Sequence, residues 1–138
     1  MHGIYSGPKN MNICMKNCQN KWNITLTGVG PNCNDIVLLH TTNSTSDRAI
    51  YFQNSTFSEI SCMKFSNFTF LEQNPLKFLQ SVATESLSEQ LIGGAALHGY
   101  NVTSILLNNI TFYRNYAYLG AAVSFSSSNV IMKGCVFN

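Results

Sequence analysis

The chain has 138 residues, of which 45% are hydrophobic and only 10% are charged, and its formal net charge is +2. This length and apolar content suffice for one folded domain and argue against a wholly disordered chain. The eight Lys and Arg residues are scattered singly, which excludes the basic stripe that phosphate contacts require, so we expect no nucleic-acid partner.

Neither a membrane span nor a targeting segment is visible in the sequence. The longest apolar runs, such as 36–39, fall far short of the ~20 residues that a transmembrane helix needs. Residues 1–8 lack the charged stretch followed by an apolar stretch that marks a signal peptide. We therefore expect no transmembrane segment in this chain, and either an intracellular protein or a piece of a longer one.

The cysteine count is odd, so at least one cysteine stays unpaired in an oxidising compartment. The five are Cys14, Cys18, Cys33, Cys62 and Cys135. The first three, together with His40, could be considered as a zinc set, but their spacing fits no common zinc motif. We expect local disulfides or buried thiols and no metal site, and we leave the pairing open.

Four segments share a pattern in which apolar residues alternate on both sides of a two-residue corner. The segments are 24–29, 63–68, 105–110 and 130–135, and the second corner residue is Gly28, Asn67, Asn109 or Gly134. Gly and Asn are the residues that best tolerate a positive φ, which a sharp bend between two short strands requires. The pattern therefore predicts short strands that meet at these structural corner positions.

The same alignment predicts which side chains stack on one another. One apolar column would hold Leu26, Phe65, Leu107 and Met132, a second would hold Val29, Phe68, Ile110 and Cys135, and an aromatic ladder would hold Phe70, Phe112 and Phe137.

An insertion precedes the third of these segments. Asn74 suits a helix N-cap and Pro75 suits the first helical position, and apolar residues follow at helical spacing up to Leu87. We predict a short helix within residues 74–90, with an irregular loop as the alternative.

A second motif carries the same period. Gly94-Ala95-Ala96-Leu97 recurs as Gly120-Ala121-Ala122-Val123, and Phe112 recurs as Phe137 after nearly the same interval. Two motifs with a period of about 25 residues predict an all-β fold, a right-handed parallel β-helix (solenoid) of about four coils. Residues 1–138 would form a single segment of a longer β-helix domain. An antiparallel β-sandwich is the competing fold.

The motifs at 94–97, 112–115 and 120–123 resemble the paired GGAI and FxxN repeats of polymorphic outer membrane protein-like adhesins. That family belongs to the right-handed β-helix, pectin-lyase-like superfamily, and related repeats occur in large extracellular proteins of protists and simple animals. Residues 3–28 and 48–52 are similar to other coils of such domains. Two departures are that Gly120-Ala121 stands for a double Gly and that Phe137-Asn138 ends partway through a repeat. The resemblance implies a surface protein whose partners include neighbouring β-helix coils.

Catalytic and cofactor signatures are missing from the sequence. The six acidic residues do not share a register across the predicted repeats, as paired catalytic carboxylates would. His2, His40 and His98 belong to no recognisable motif with Ser or Cys, and Gly93-Gly94 lacks the residues of a phosphate loop. We expect no enzyme activity and no cofactor. The alternative is a fragment of a carbohydrate-active enzyme, a lyase or a hydrolase, whose catalytic acids lie outside this segment.

Six sequons, about twice the number that chance predicts, indicate an extracellular or cell-surface glycoprotein. Their asparagines are Asn43, Asn54, Asn101, Asn23, Asn67 and Asn109. Asn67 and Asn109 have an alternative role as corner residues, so Asn43, Asn54 and Asn101 are the better candidates for carrying glycans.

An aromatic and basic cluster at Tyr113, Arg114, Tyr116 and Tyr118 could contact sugar rings or a protein partner, or could simply pack against neighbouring repeats. Together these patterns predict a non-enzymatic structural or adhesive module that presents an elongated surface to protein or glycan partners.

Overall fold

The computed structural model describes residues 3–6, 13–15, 23–41, 48–71, 94–117 and 120–138. Within these ranges the protein is all-β, with one 3-10 helix at Cys33–Asp35. The strands are β1 (Gly3–Ser6), β2 (Ile13–Met15), β3 (Asn23–Thr27), β4 (Ile36–Leu39), β5 (Ile50–Gln53), β6 (Phe57–Ser66), β7 (Thr69–Phe70), β8 (Leu97–Tyr100), β9 (Ser104–Tyr113), β10 (Tyr116–Ala117), β11 (Val123–Ser126), β12 (Val130–Lys133) and β13 (Val136–Phe137). The helix predicted at 74–90 lies outside the described residues. No helix in the described part is long and apolar enough to cross a membrane.

Every strand pair in the described ranges is parallel, which excludes the antiparallel sandwich for this part of the chain. The largest sheet has the order β1-β4-β6-β9-β12, and β3 and β13 join it beside β6 and β9. A second sheet has the order β2-β5-β8-β11, and β7 pairs with β10 in a third. Parallel neighbours need a long connection, and accordingly no described strand pairs with the strand that follows it in the chain.

The short period predicted for the C-terminal third is confirmed. Leu107 pairs with Met132 and Phe112 with Phe137, at one and the same interval along the chain, in the largest sheet. Leu97 pairs with Val123, at nearly the same interval, in the second sheet. Backbone hydrogen bonds extend this register through the preceding small residues, where the Gly94 N–H donates to the Gly120 carbonyl at 3.0 Å.

The predicted alignment of the earlier segments is wrong. Leu26 pairs with Ile60 rather than Phe65, and Phe65 pairs with Phe112 rather than Leu107. The corner of β6 is at Cys62, which has φ 57° and separates two alternating halves. Because cysteine is not among the residues that favour a positive φ, the sequence pattern placed that corner later in the chain, at Asn67.

The first repeat also contains an insertion, which the alignment did not locate. The interval from Leu26 to its partner Ile60 is longer than the interval from Leu38 to its partner Phe65. The difference equals the length of the segment 29–35, which lies between β3 and β4 and contains the 3-10 helix. Val29 lies in this segment and is exposed, so it does not join the predicted apolar column.

The interior is built from side chains that stack across successive strands. Leu38, Phe65, Phe112 and Phe137 follow one another in register, and Phe70 pairs with Ala117 instead of joining the ladder. Ring centroids lie 5.7 Å apart for Phe65 and Phe112 and 4.8 Å apart for Phe112 and Phe137. Other buried residues of the repeats form further apolar columns beside this aromatic stack. They include Ile36, Ile50, Phe52, Ile60, Met63, Leu97, Ile105, Leu107 and Ile110.

Phe112 should be the most sensitive position of the aromatic stack, because its ring is buried between two others. We expect Phe112→Ala to lower the free energy of unfolding by about 3–5 kcal/mol. Phe137→Ala, which removes the exposed end of the same stack, should cost about 1 kcal/mol. Urea unfolding of both variants measures the difference, and equal losses would contradict the stacking order.

Candidate functional site

The first corner of the largest sheet is a column of residues with one backbone conformation. Cys62, Asn109 and Gly134 have φ values of 57°, 52° and 59°, and the registers on both sides place them above one another. A Cβ atom on Gly134 would overlap Oδ1 of Asn109, so a larger residue at this level would have to displace that side chain. Gly28 is at the start of the column without a positive φ, and a Cβ atom there would overlap the Cys62 carbonyl oxygen. Position 28 therefore needs glycine because the Cys62 backbone lies close to it, and not because of the positive φ that the sequence pattern predicted.

Asn67 belongs to a different corner from the other three predicted corner residues. It follows the end of β6, has φ 63°, and its N–H donates to the Tyr113 carbonyl at 3.0 Å. Arg114 follows the end of β9 at the corresponding position and has φ 51°.

A third corner contains Asn54, Asn101 and Ser127, with φ values of 53°, 53° and 49°. The Asn101 side-chain amide donates to Oδ1 of Asn54 at 2.8 Å, so stacked asparagines hydrogen-bond along the column. Asparagine tolerates the left-handed region because its short polar side chain can hydrogen-bond locally. The asparagine content of the chain thus has a backbone role at all three corners.

The structure places four of the six sequon asparagines at these corners. Asn54, Asn67, Asn101 and Asn109 are all exposed and all have positive φ. The backbone reason for choosing asparagine therefore applies to Asn54 and Asn101 as much as to Asn67 and Asn109. Asn43 and the side chain of Asn23 lie outside the described part, and glycosylation of each site stays a prediction.

A disulfide bond joins Cys33 to Cys62, with Cα atoms 4.2 Å apart, and so ties the inserted segment 29–35 to the first corner. The same segment is bound on its other side, because the Thr111 hydroxyl donates to Oδ1 of Asn34 at 2.8 Å. With its sulfur in this bond, Cys33 cannot serve in the zinc set considered with His40. The Cys135 thiol is not in a disulfide and points at the Leu107 carbonyl, 3.5 Å away.

Asn115 has a structural role that the sequence reading did not assign. Its Nδ2 donates to the Phe65 carbonyl at 3.1 Å, and its Oδ1 accepts from the Phe68 N–H at 3.0 Å. One side chain thus satisfies two backbone groups where β6 ends. The motif Phe112-Tyr113-Arg114-Asn115 was the available signal, since its first and last residues contact the preceding repeat.

The acidic residues and histidines of the described ranges form no metal-binding group of three. Glu59 lies in β6 and has Thr25 and Leu106 as its register neighbours, so no carboxylate stacks on it. His98 is fully buried on β8, where its ring stacks on Tyr51 at 5.4 Å, and His40 is buried against Phe68. An enzyme fragment with acids outside this segment stays an untested alternative.

The candidate binding surface is a tyrosine ring in contact with two cations, which we call the tyrosine patch and which consists of Lys64, Tyr113 and Arg114. Lys64 alternates with the buried Met63 and Phe65 and therefore lies on the outer side of β6. Its ammonium nitrogen is 4.3 Å from the centroid of the Tyr113 ring, and the Arg114 guanidinium carbon is 5.0 Å from it. The predicted cluster is thus brought together in part, with Lys64 added from the neighbouring strand. Tyr116 is exposed on β10, and Tyr118 is outside the described residues.

Comparison with known proteins identifies no relative. No protein-family model matches the chain, and no curated protein and no solved structure matches it.

The disulfide should contribute substantially to stability, because it closes a loop with a sequence separation of 29 residues. We expect the double variant Cys33→Ser/Cys62→Ser to lose about 3–4 kcal/mol of unfolding free energy. Cys135→Ser is the matched control and should lose less than about 1 kcal/mol. Chemical denaturation measures the unfolding free energy of both variants. A double variant as stable as the unsubstituted chain would contradict a stabilising role of the disulfide.

The hydrogen bond between Asn101 and Asn54, together with the positive φ of Asn101, predicts that alanine is a more destabilising substitution than glycine at position 101. Asn101→Ala should cost about 2 kcal/mol, because it removes the hydrogen bond to Asn54 and leaves at positive φ a residue whose side chain cannot form the local hydrogen bonds that let asparagine tolerate this conformation. Asn101→Gly loses the same hydrogen bond without the backbone strain, so it should cost about 1 kcal/mol less than alanine. Thermal melts of the two variants give the ranking, and alanine as the milder change would contradict it.

Proposed function

We propose that this chain is a segment of a right-handed parallel β-helix that works as a non-enzymatic module at the cell surface or outside the cell. The observation that carries the proposal is the in-register stacking of like residues across parallel strands. Phenylalanine lies on phenylalanine at one position, and three corner columns repeat one backbone conformation. A solenoid explains this repetition because the backbone of each coil then follows the same path as the backbone of the coil on which it stacks.

An extracellular location is supported by two independent features. The Cys33–Cys62 disulfide is a kind of bond that persists in oxidising compartments. The sequons at Asn54, Asn67, Asn101 and Asn109 present exposed acceptor side chains at corners rather than inside strands. The similarity of the repeats to polymorphic outer membrane protein-like adhesins belongs to the same proposal, as does a longer full-length protein that supplies neighbouring coils.

The adhesive role rests on the tyrosine patch. Two cationic side chains, those of Lys64 and Arg114, lie close together against the Tyr113 ring and can attract an anionic partner. Sugars that bear sulfate or carboxylate groups can pair these groups with Lys or Arg. We therefore propose an anionic glycan as the ligand class of this surface.

Binding of a heparin tetrasaccharide, measured by calorimetry at low salt, tests this proposal. Lys64→Gln and Arg114→Asn should each weaken binding by about fivefold, which corresponds to ~1 kcal/mol. Asparagine is chosen at position 114 because it tolerates the positive φ there. Binding should also weaken as salt is raised, since exposed charges are screened.

Lys133→Gln is the matched control for the same experiment. It removes one positive charge from the exposed strand β12 without changing the tyrosine patch. We expect its affinity for heparin to be unchanged. An equal loss of affinity in all three variants would show that the net charge of the chain, and not the tyrosine patch, determines binding. Absence of saturable binding in the unsubstituted chain would reject the anionic-glycan proposal.

A further inference from the structure

A sequon asparagine lies at the same corner as one residue of the tyrosine patch. Asn67 follows the end of β6 and Arg114 follows the end of β9, and the register pairs the preceding residues, Ser66 and Tyr113. Both corner residues have positive φ, of 63° and 51°. We call this pair the second corner. Asn67 therefore lies one level from Arg114 along the stack, at the spacing of neighbouring strands, which is about 4.8 Å.

Two hydrogen bonds hold Asn67 in this position. Its N–H donates to the Tyr113 carbonyl at 3.0 Å, and the N–H of the next residue, Phe68, donates to Oδ1 of Asn115 at 3.0 Å. The two acceptors belong to the residues immediately before and after Arg114. A group attached to the Asn67 side chain is therefore anchored beside the Arg114 end of the tyrosine patch.

Asn67 is at an inner level of the stack and is exposed nonetheless. Arg114 lies at the level on one side of it, and on the other side the His40 N–H donates to the Ser66 carbonyl at 3.0 Å. Asn67 is exposed with both of these levels in place. Its side-chain amide can therefore carry a large substituent without displacing a neighbouring level.

The other three sequon asparagines at described corners lie farther from the patch. Asn54 and Asn101 precede β6 and β9, whereas the tyrosine patch lies toward the ends of these strands. Asn109 is at the first corner, and about 13 Å of extended strand separates it from Tyr113. Of these four asparagines, Asn67 is thus the one whose substituent begins at the patch.

Two physical effects make a glycan at Asn67 a competitor of any external ligand of the patch. An oligosaccharide is bulky and would occupy the solvent volume beside Arg114. Its first sugars are also tethered to the surface, so their effective concentration at the patch is in the ~mM range, where weak hydrogen bonds from Arg114 to sugar hydroxyls become populated. An external anionic sugar would have to displace these tethered sugars.

We propose that Asn67 carries an N-linked glycan that covers the tyrosine patch, so that the patch binds an external anionic glycan only in chains without this modification. The inference rests on the anionic-glycan binding proposed above for the same surface. In the modification, Nδ2 of Asn67 loses a proton to solvent and forms a bond to the anomeric carbon of an oligosaccharide. The donor is a lipid diphosphate-linked oligosaccharide, in which the bond from the anomeric carbon to the phosphate oxygen breaks and the lipid diphosphate leaves.

The test compares two preparations of the full chain. One is exported to the bacterial periplasm, where disulfides form and no N-linked glycan is added, and the other is secreted from mammalian cells with neutral high-mannose glycans. Mass spectrometry of glycopeptides should show that Asn67 is occupied in the secreted chain. The affinity for a heparin tetrasaccharide, measured by calorimetry, should be lower in the secreted chain by about fivefold or more. Neutral glycans ensure that no added negative charge causes the loss.

Two sequon variants assign the effect to Asn67 without changing a corner asparagine. Thr69→Val removes the acceptor sequence of Asn67, and Thr103→Val removes that of Asn101 at the third corner. When secreted, Thr69→Val should regain the affinity of the bacterial chain, whereas Thr103→Val should keep the lower affinity. Thr69→Val made in bacteria should bind like the unsubstituted bacterial chain, which controls for the substitution itself.

The outcomes separate this inference from the proposed function. An unoccupied Asn67, or equal heparin affinities of the secreted and bacterial chains, would overturn the inference and leave anionic-glycan binding intact. Equal recovery of affinity in Thr103→Val and Thr69→Val would also overturn it, because the glycans would then act through their bulk at any corner. Absence of saturable binding by the bacterial chain would reject the anionic-glycan proposal and this inference with it.

Discussion

The parallel stack depends on one backbone constraint, the positive φ at the corners. A strand with alternating side chains would reverse its inward and outward faces if one residue were added in an extended conformation. At Cys62 and Asn109 a single residue in the left-handed region turns the chain so that the buried residues on both sides face the same interior, and Gly134 repeats this conformation. The apolar columns, the aromatic stack and the registers all follow from this repeated turn.

Asparagine side chains supply several of the polar contacts that link successive strands in the described part of the chain. The corner residues Asn54 and Asn101 hydrogen-bond to each other, and Asn115 satisfies two backbone groups at the end of β6. Amide side chains can donate and accept at once, so they can link successive levels without a counter-charge. This explains how a chain with few charged residues remains polar at its surface and why four of its six sequon asparagines coincide with the described corners.

The proposed glycan-binding surface lies on the outer face of the stack. The tyrosine patch is formed on the outer side of β6 and β9, where side chains of neighbouring strands combine into a surface that no single strand carries.

The sequence by itself determined the strand content, the short period of the C-terminal third and the need for Gly134 and Asn109 at a corner, because each of these depends on local alternation and on φ preference. Only the tertiary structure decided the register of the earlier strands. An insertion at 29–35 interrupts the first repeat, and Cys62 takes a corner conformation that its residue type does not favour. The disulfide to Cys33, the position of Lys64 beside Tyr113 and the backbone role of Asn115 all join residues that are far apart in the chain. Contacts of that kind follow from how the strands stack, which local sequence patterns do not specify.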